Sequence, residues 1–337
     1  MSNIKIAFFE IEDWEKDYFK KELSDYELSF FNEHLEKDNM QKGKGHEIVS
    51  TFTVSQVGRE VLVGLPDLKM ISTRATGFDN IDIQEAKKLG IVVCNVPTYG
   101  ENTVAEHTFG LILNLSRKIH QSIQSVKEKG FIPDGLCGFD LMGKTLGIVG
   151  TGHIGSHVAR IAKGFEMNIL AYDIIQDKKL AKMLGFKYVS LDDLLKNSDI
   201  ITLHIPYNKH THHLINSKNI NLIKRGAYLI NTARGGIVET DALVRALNEG
   251  ILAGAGLDVM EEEHDLGEER ELLSKTITEN IDFKTILQNH ILMEQENVVI
   301  TPHNAFNSEE ALERILETTV ENINAFMKGK PINIVKN

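Results

Sequence analysis

Cysteine is nearly absent from this chain. There are 2 in 337 residues, Cys94 and Cys137, far apart and in no CxxC pair. That excludes a disulfide framework and a thiolate zinc site, and it fits a reducing compartment. Long apolar runs are missing as well: no stretch approaches the roughly 20 apolar residues of a membrane-spanning helix. The N-terminal MSNIKIAFFEIEDWEKDYFKK passes from a short apolar run into dense charge. It lacks the apolar core and small-residue cleavage site of a secretory signal, so the cytoplasm is the expected location. Basic residues are in deficit, 37 Lys and Arg against 48 Asp and Glu, and the net charge of −11 argues against a nucleic-acid surface. Repeats and low-complexity blocks do not occur either.

What is present is an α/β rhythm in a chain long enough for about two domains. Short β-like runs at residues 4–9, 47–52, 69–73 and 91–95 alternate with helical or loop segments. ENTVAEHTFGLILNLSRK then reads as a long, largely apolar helix, with Asn102 as its expected N-cap and Arg117-Lys118 in its last turn. A second set of buried strands follows at 146–150, 168–172, 200–204, 228–232, 253–258 and 298–301, and an amphipathic helix over 308–327 closes the chain. The pattern predicts parallel sheets covered by helices on both faces. Residues 264–297 are charged and irregular and read as an insertion with helical pieces.

GIVGTGHIGSHVARIAKGF is the strongest local signal. Gly150, Gly152 and Gly155 form GxGxxG directly after a strand and at the start of a helix. Gly150 allows the tight turn, Gly152 lets a pyrophosphate approach the backbone, and Gly155 lets helix and strand pack closely. His153 and Ile154 lie within the same turn and count among the cofactor-binding residues. A second strand ends at Asp173, about 20 residues on, where an acid holds the adenosine ribose and repels a 2′-phosphate, so NAD is expected over NADP. The neighbouring Lys178 and Lys179 are read as a solvated helix face. Because the fingerprint lies mid-chain, behind a first α/β unit, the nucleotide domain is expected to be inserted into another domain.

One further motif delivers a single histidine, His303, at a strand end in ITPHNAF. Taken with STRATGFDNID (72–82), NVPTYGENTVAEHTFGLIL (95–113), LHIPYNKHTHHLI (203–215), NTARGGIVE (231–239) and GAGLDV (254–259), it makes the chain resemble the D-isomer-specific 2-hydroxyacid dehydrogenases, most closely the D-lactate dehydrogenase branch. The resemblance runs through nearly the whole sequence. It implies an α/β fold in which a Rossmann-type NAD-binding domain (102–303) is inserted into a flavodoxin-like substrate domain (1–101 and 304–337), and it implies a homodimer.

The same resemblance assigns three catalytic roles. Arg234 binds and polarises the substrate through its planar fork. His303 is the general acid and base, since imidazole changes charge near neutral pH. Glu263 hydrogen-bonds that ring and favours its charged form. Glu263 is chosen from Glu261-Glu262-Glu263 by its spacing from Asp258. Many family members have proline right after this glutamate, where this chain has His264-Asp265, so Glu262 remains the alternative. Asp258, His204, Pro206, Thr232 and Ala233 resemble cofactor-lining positions. His210, His212 and His213 read as loop surface, and no metal is expected because arginine supplies the polarisation.

On the substrate side, Ala75, Thr76 and Gly77 are expected to offer backbone N–H groups to a carboxylate. Tyr99, Phe52 and Phe306 are expected to wall the pocket, and crowding by aromatics points to pyruvate. Larger 2-oxo acids, glyoxylate and a phosphoglycerate are the alternatives; for the last, Arg74 is the one basic residue at hand. An NAD-sensing protein-interaction module on the same fold is the reading from a different class. The short tail after the last helix is expected to leave no room for a regulatory domain.

Overall fold

The computed structural model describes residues 4–263 and 283–335. The chain forms two compact units, one of Met1–Tyr99 with Ser308–Asn337 and the other of Gly100–Asn307.

In the first unit, strands β1 (Lys5–Phe8), β2 (Glu27–Phe30), β3 (Ile48–Thr51), β4 (Met70–Thr73) and β5 (Val92–Cys94) form one parallel sheet in the order β2-β1-β3-β4-β5. That is the flavodoxin-like order. Side chains alternate between the two faces, as the two-residue period of a strand requires. Ala7, Val49, Ile71 and Val93 pack on the side of helices α2 (Arg59–Gly64) and α3 (Ile83–Lys88). Ile6, Phe8, Ile48, Met70 and Cys94 pack with Phe19 of α1 (Asp13–Glu22) and with Leu316, Val320 and Ile323 of the C-terminal helix Glu309–Met327. The edge strand β2 was not expected. Its sequence ELSF is only partly buried and carries no apolar run to announce it.

The second unit holds β6 (Thr145–Val149), β7 (Asn168–Tyr172), β8 (Lys187–Tyr188), β9 (Ile200–Leu203), β10 (Ala227–Asn231), β11 (Leu252–Leu257) and β12 (Val298–Ile300). They form a parallel sheet in the order β12-β11-β10-β9-β6-β7-β8. The direction of winding reverses between β9 and β6, the switch point where such sheets bind nucleotides. Helices α4 (Glu101–Arg117), α5 (Ile119–Lys129), α6 (His153–Gly164), α7 (Lys178–Leu184), α8 (Leu191–Asn197), α9 (Thr240–Asn248) and α10 (Phe283–Glu294) surround it, and α11 is the Glu309–Met327 helix of the first unit. This is the Rossmann arrangement expected.

Two local expectations are corrected. Helix α4 starts two residues earlier than read, with Gly100 rather than Asn102 as N-cap; Asn102 lies inside the first turn, where its Nδ2 donates to Glu106 Oε1 at 3.3 Å. And α5, unread in the sequence, follows α4 after Lys118 takes a left-handed conformation. Within the 264–297 insertion, 283–297 includes α10, while 264–282 lies outside the described residues. Among the described residues, no helix is long and apolar enough to cross a membrane.

Candidate active site

Three neighbouring strands of the second unit end level with one another. Asn231 of β10 pairs with Leu257 of β11, and Leu257 with Ile300 of β12. Asp258 is the first residue beyond that line, and Arg234 and His303 are each the third. Register alone therefore brings the three to one sheet edge, the carboxyl edge, where parallel sheets bind ligands.

His303 and Glu263 are in direct contact, Nδ1 to Oε1 at 2.7 Å, and each is about a quarter exposed. The other oxygen of Glu263 accepts the Met260 N–H at 3.0 Å, which fixes the carboxylate. Its neighbours differ. Glu261 turns to His213 and Thr240, and Glu262 is exposed. Glu262 and His303 both have a left-handed backbone, with φ of 52° and 49°. Such geometry costs a residue with a side chain about 1–3 kcal/mol and is found where surrounding bonds enforce it.

Asp258 supplies that enforcement at His303. It is 2% exposed. Its Oδ1 accepts Thr301 Oγ1 at 2.5 Å and the Asn304 N–H at 2.8 Å; its Oδ2 accepts the Ala305 N–H at 2.9 Å. Its backbone oxygen accepts the His303 N–H at 2.8 Å. Asp258 thus wraps the turn that carries His303. From α4, His107 Nε2 approaches Thr301 Oγ1 at 3.0 Å and Asp258 Oδ1 at 3.5 Å. Sequence reasoning missed His107 and Thr301, which lie 194 residues apart and show no local pattern that would join them.

Arg234 is half-buried. Its Nη1 donates to Ala233 O at 2.8 Å, and Asn231 Nδ2 holds its backbone oxygen at 2.9 Å. Thr232, beside it, meets Thr108 of α4, Oγ1 to Oγ1 at 3.0 Å, and Ala233 N donates to Asn231 Oδ1.

At the switch point, Gly150 has φ 93°, and a Cβ there would collide with the His204 carbonyl. A Cβ on Gly155 would collide with the Gly150 carbonyl, whereas one on Gly152 would enter open space. The first helical bond of α6 runs from Ser156 N to Gly152 O. The N–H groups of His153, Ile154 and Gly155 have no protein acceptor among the described residues. Asp173 Oδ2 accepts Thr151 N at 2.6 Å and Thr151 Oγ1 at 3.0 Å, which sets the carboxylate at the end of β7. The His204 ring meets Thr202 Oγ1 at 2.8 Å, while its buried Nδ1 has no partner among the described residues. Burial pushes this histidine down to about 3, so it is neutral at physiological pH. Pro206 is exposed, and its carbonyl accepts Thr211 Oγ1.

In the first unit, Ala75, Thr76 and Gly77 follow β4, and their N–H groups meet no protein acceptor among the described residues. Thr76 Oγ1 donates to Val96 O, which braces the turn. Phe52 is half-buried with its ring 5.6 Å from the Arg74 guanidinium; Tyr99 is half-buried as well. Phe306 belongs to the second unit, in the turn after His303, and is half-buried. Arg74 itself is not available to a substrate. It is 1% exposed and donates to Ser50 Oγ, Phe9 O and Glu10 O, with Glu15 at 3.6 Å. The loop histidines also part company: His210 and His212 are exposed, but His213 is half-buried on Glu261, not loop surface as read.

Residues 109–305 match the model of the D-isomer specific 2-hydroxyacid dehydrogenase family, NAD binding domain. The chain belongs to this family. A D-lactate dehydrogenase from Aquifex aeolicus, solved with NAD and lactic acid, superposes on this dehydrogenase with a TM-score of 0.88 at 40% identity, covering 96% of each chain. A 2-hydroxyacid dehydrogenase homolog of Zymomonas mobilis is 38% identical over 97% of this chain and 98% of its own. A glyoxylate reductase of Thermococcus litoralis is 39% identical over 88% of this chain and 85% of its own. The protein is an NAD-dependent oxidoreductase of D-2-hydroxy acids.

The residues of this dehydrogenase suit NAD. The open space at Gly152 leaves room for a pyrophosphate, and the N–H groups at the start of α6 face it with the positive end of the helix. Asp173, at the end of β7 and fixed by Thr151, would offer its carboxylate to the ribose diol.

Proposed function

We propose that the dehydrogenase reduces pyruvate to D-lactate, with His303 as proton donor, Glu263 as its partner and Arg234 as the group that binds and polarises the substrate. The observation that carries this reading is the 2.7 Å contact between His303 Nδ1 and Glu263 Oε1. With Nδ1 committed to a carboxylate, Nε2 is the nitrogen left for the substrate, and it has no partner among the described residues. NADH supplies the hydride to the carbonyl carbon when bound. Arg234 draws charge toward the carbonyl oxygen and holds the carboxylate with its fork. His303 gives its Nε2 proton to the developing alkoxide, and in the reverse direction takes it back. Glu263 stabilises the imidazolium before transfer and keeps the ring oriented. The family resemblance further assigns Ala75, Thr76 and Gly77 to the substrate carboxylate and Phe52, Tyr99 and Phe306 to its side chain.

Glyoxylate is the second reading, favoured by the 39% identity to a glyoxylate reductase. A phosphorylated acid loses support, because Arg74, the basic residue it required, has its donors filled by the protein. The homodimer reading, implied by the resemblance, is supported by α5. It buries none of its residues and exposes Ile119, Ile123 and Val126, at 43%, 52% and 46%, along one helical stripe. The mass in solution tests it. Two free thiols, Cys94 and Cys137, suit the cytoplasm.

The test is NADH oxidation with pyruvate, 2-oxobutyrate, phenylpyruvate, glyoxylate and 3-phosphohydroxypyruvate, with His303→Gln beside the wild type. Pyruvate is expected to be the best substrate, and the variant to lose about 10²–10⁴ in kcat. Faster turnover of glyoxylate moves the second reading ahead. NADH binding without turnover of any acid would sink both and favour an NAD-sensing interaction module.

A further inference from the structure

Glu261 and Glu263 share one short segment after β11, yet their carboxylates go to different histidines. Glu263 meets His303. Glu261 Oε1 meets His213 Nε2 at 2.6 Å. The other oxygen of Glu261 accepts Thr240 N at 2.9 Å and Thr240 Oγ1 at 2.6 Å, at the first residue of α9, where a helix favours an anion. The Glu261 backbone oxygen accepts Asn289 Nδ2 of α10 at 2.6 Å. Three elements thus grip one residue.

The segment carrying Arg234 is fastened to the same place. Gly235 lies so close to the backbone of Met260 and Glu261 that a Cβ would collide with the Met260 carbonyl. The next residue, Gly236, accepts the His213 N–H on its carbonyl at 2.8 Å. His213 therefore holds the Arg234 segment with its backbone and the Glu263 segment with its ring. Between the anchored Glu261 and the anchored Glu263 stands Glu262, in its left-handed conformation. If Glu261 is released, Glu262 can relax toward ordinary backbone angles and carry Glu263 away from His303.

We propose that His213 and Glu261 are positioning residues of this dehydrogenase: they lock the Arg234 segment to the Glu263 segment and so set the contact between Glu263 and His303. Neither is assigned to substrate or cofactor; both act through the chain they hold. The inference rests on the reading of Glu263 and His303 as the acid–base pair.

The experiment compares wild type, Glu261→Ala, His213→Gln, Glu263→Gln and the double variant Glu261→Ala/Glu263→Gln, in NADH oxidation with pyruvate and with glyoxylate. NADH affinity is read by fluorescence titration. A misplacement of about 1 Å costs up to about 10²-fold in rate. Glu261→Ala is therefore expected to lower kcat about tenfold or more, and His213→Gln less, with NADH affinity within about twofold of wild type. Residues that act as one unit do not add, so the double variant is expected to fall little below Glu263→Gln. Normal kcat in both Glu261→Ala and His213→Gln, or a double loss equal to the product of the single losses, overturns the proposal. If Glu261→Ala does not fold, His213→Gln with the corresponding His213→Gln/Glu263→Gln pair decides by the same criteria. Normal kcat in Glu263→Gln would instead remove the acid–base reading beneath it, a separate outcome from failure of the brace.

Discussion

Arg74 follows β4 at the carboxyl edge of the five-stranded sheet, and Arg234 follows β10 at the carboxyl edge of the seven-stranded one. Both are strand-end arginines with a turn behind them. Arg74 is wrapped by Ser50, Phe9, Glu10 and Glu15 and lies under the Phe52 ring. Burial pushes its guanidinium down, against the pull of Glu15 and Glu10. Arg234 is half-buried beside Gly235 and Gly236. The difference teaches that a charged residue at a sheet edge is read by its surroundings. A buried arginine wrapped by carbonyls is part of the scaffold, and a half-buried one beside glycines at the level of His303 is the one we propose for chemistry.

The largest effects should separate these two residues. Arg234→Lys keeps the charge but loses the planar fork; kcat is expected to fall about 10²–10³, in the range for loss of one transition-state donor. Its unfolding midpoint in urea should stay that of the wild type. Arg74→Met leaves Glu15 buried without its partner, and breaking a buried pair from one side costs about 3–5 kcal/mol. If Arg74→Met were as stable as wild type, or Arg234→Lys fully active, the contrast drawn from burial would be wrong.

A smaller contrast lies in two glycines of one turn. Gly155→Ala puts a Cβ into the Gly150 carbonyl, so both stability and NADH binding should drop, with stability lower by about 1–3 kcal/mol, the usual cost of overpacking. Gly152→Ala puts its Cβ into open space. Its stability should stay within about 0.5 kcal/mol of wild type, while NADH binding weakens because the methyl takes room needed by the pyrophosphate. Equal NADH affinity in Gly152→Ala and wild type would show that the cofactor does not run over this residue.

Much of this was legible in the sequence, and the reason is local. The fingerprint, its strand and its helix are consecutive, so GxGxxG and Asp173 could be read from one stretch of chain. The α/β alternation likewise revealed both parallel sheets. What stayed hidden was tertiary. Nothing in ITPHNAF says that Asp258 wraps the turn, or that His107 reaches Thr301 from α4. His213 read as loop surface because its partner, Glu261, is 48 residues away. Arg74 looked available because burial by an element's own neighbours leaves no mark in the sequence around it. The edge strands β2 and β8 were missed because a short, partly exposed strand has too few apolar residues to show a period.

The smallest effect carries the same lesson to the two cysteines. Cys94 is fully buried in β5 among Ile6, Phe8, Ile48 and Met70 of the first unit, and Cys137 is exposed in the second. Burial pushes the Cys94 thiol up to about 11. Only the thiolate attacks an alkylating reagent. With the folded value above that of the unfolded chain, at about pH 8 only about one Cys94 in a thousand would be ionised even if the reagent reached it. Iodoacetamide at that pH should therefore add one carbamidomethyl group to the native protein, at Cys137, and two in urea, as read by peptide mass spectrometry. Neither rate nor yield of NADH oxidation should change with the first adduct. Labelling of native Cys94 at the rate of Cys137 would mean that β5 opens to solvent, and that the packing used to tell scaffold from site in the first unit does not persist in solution.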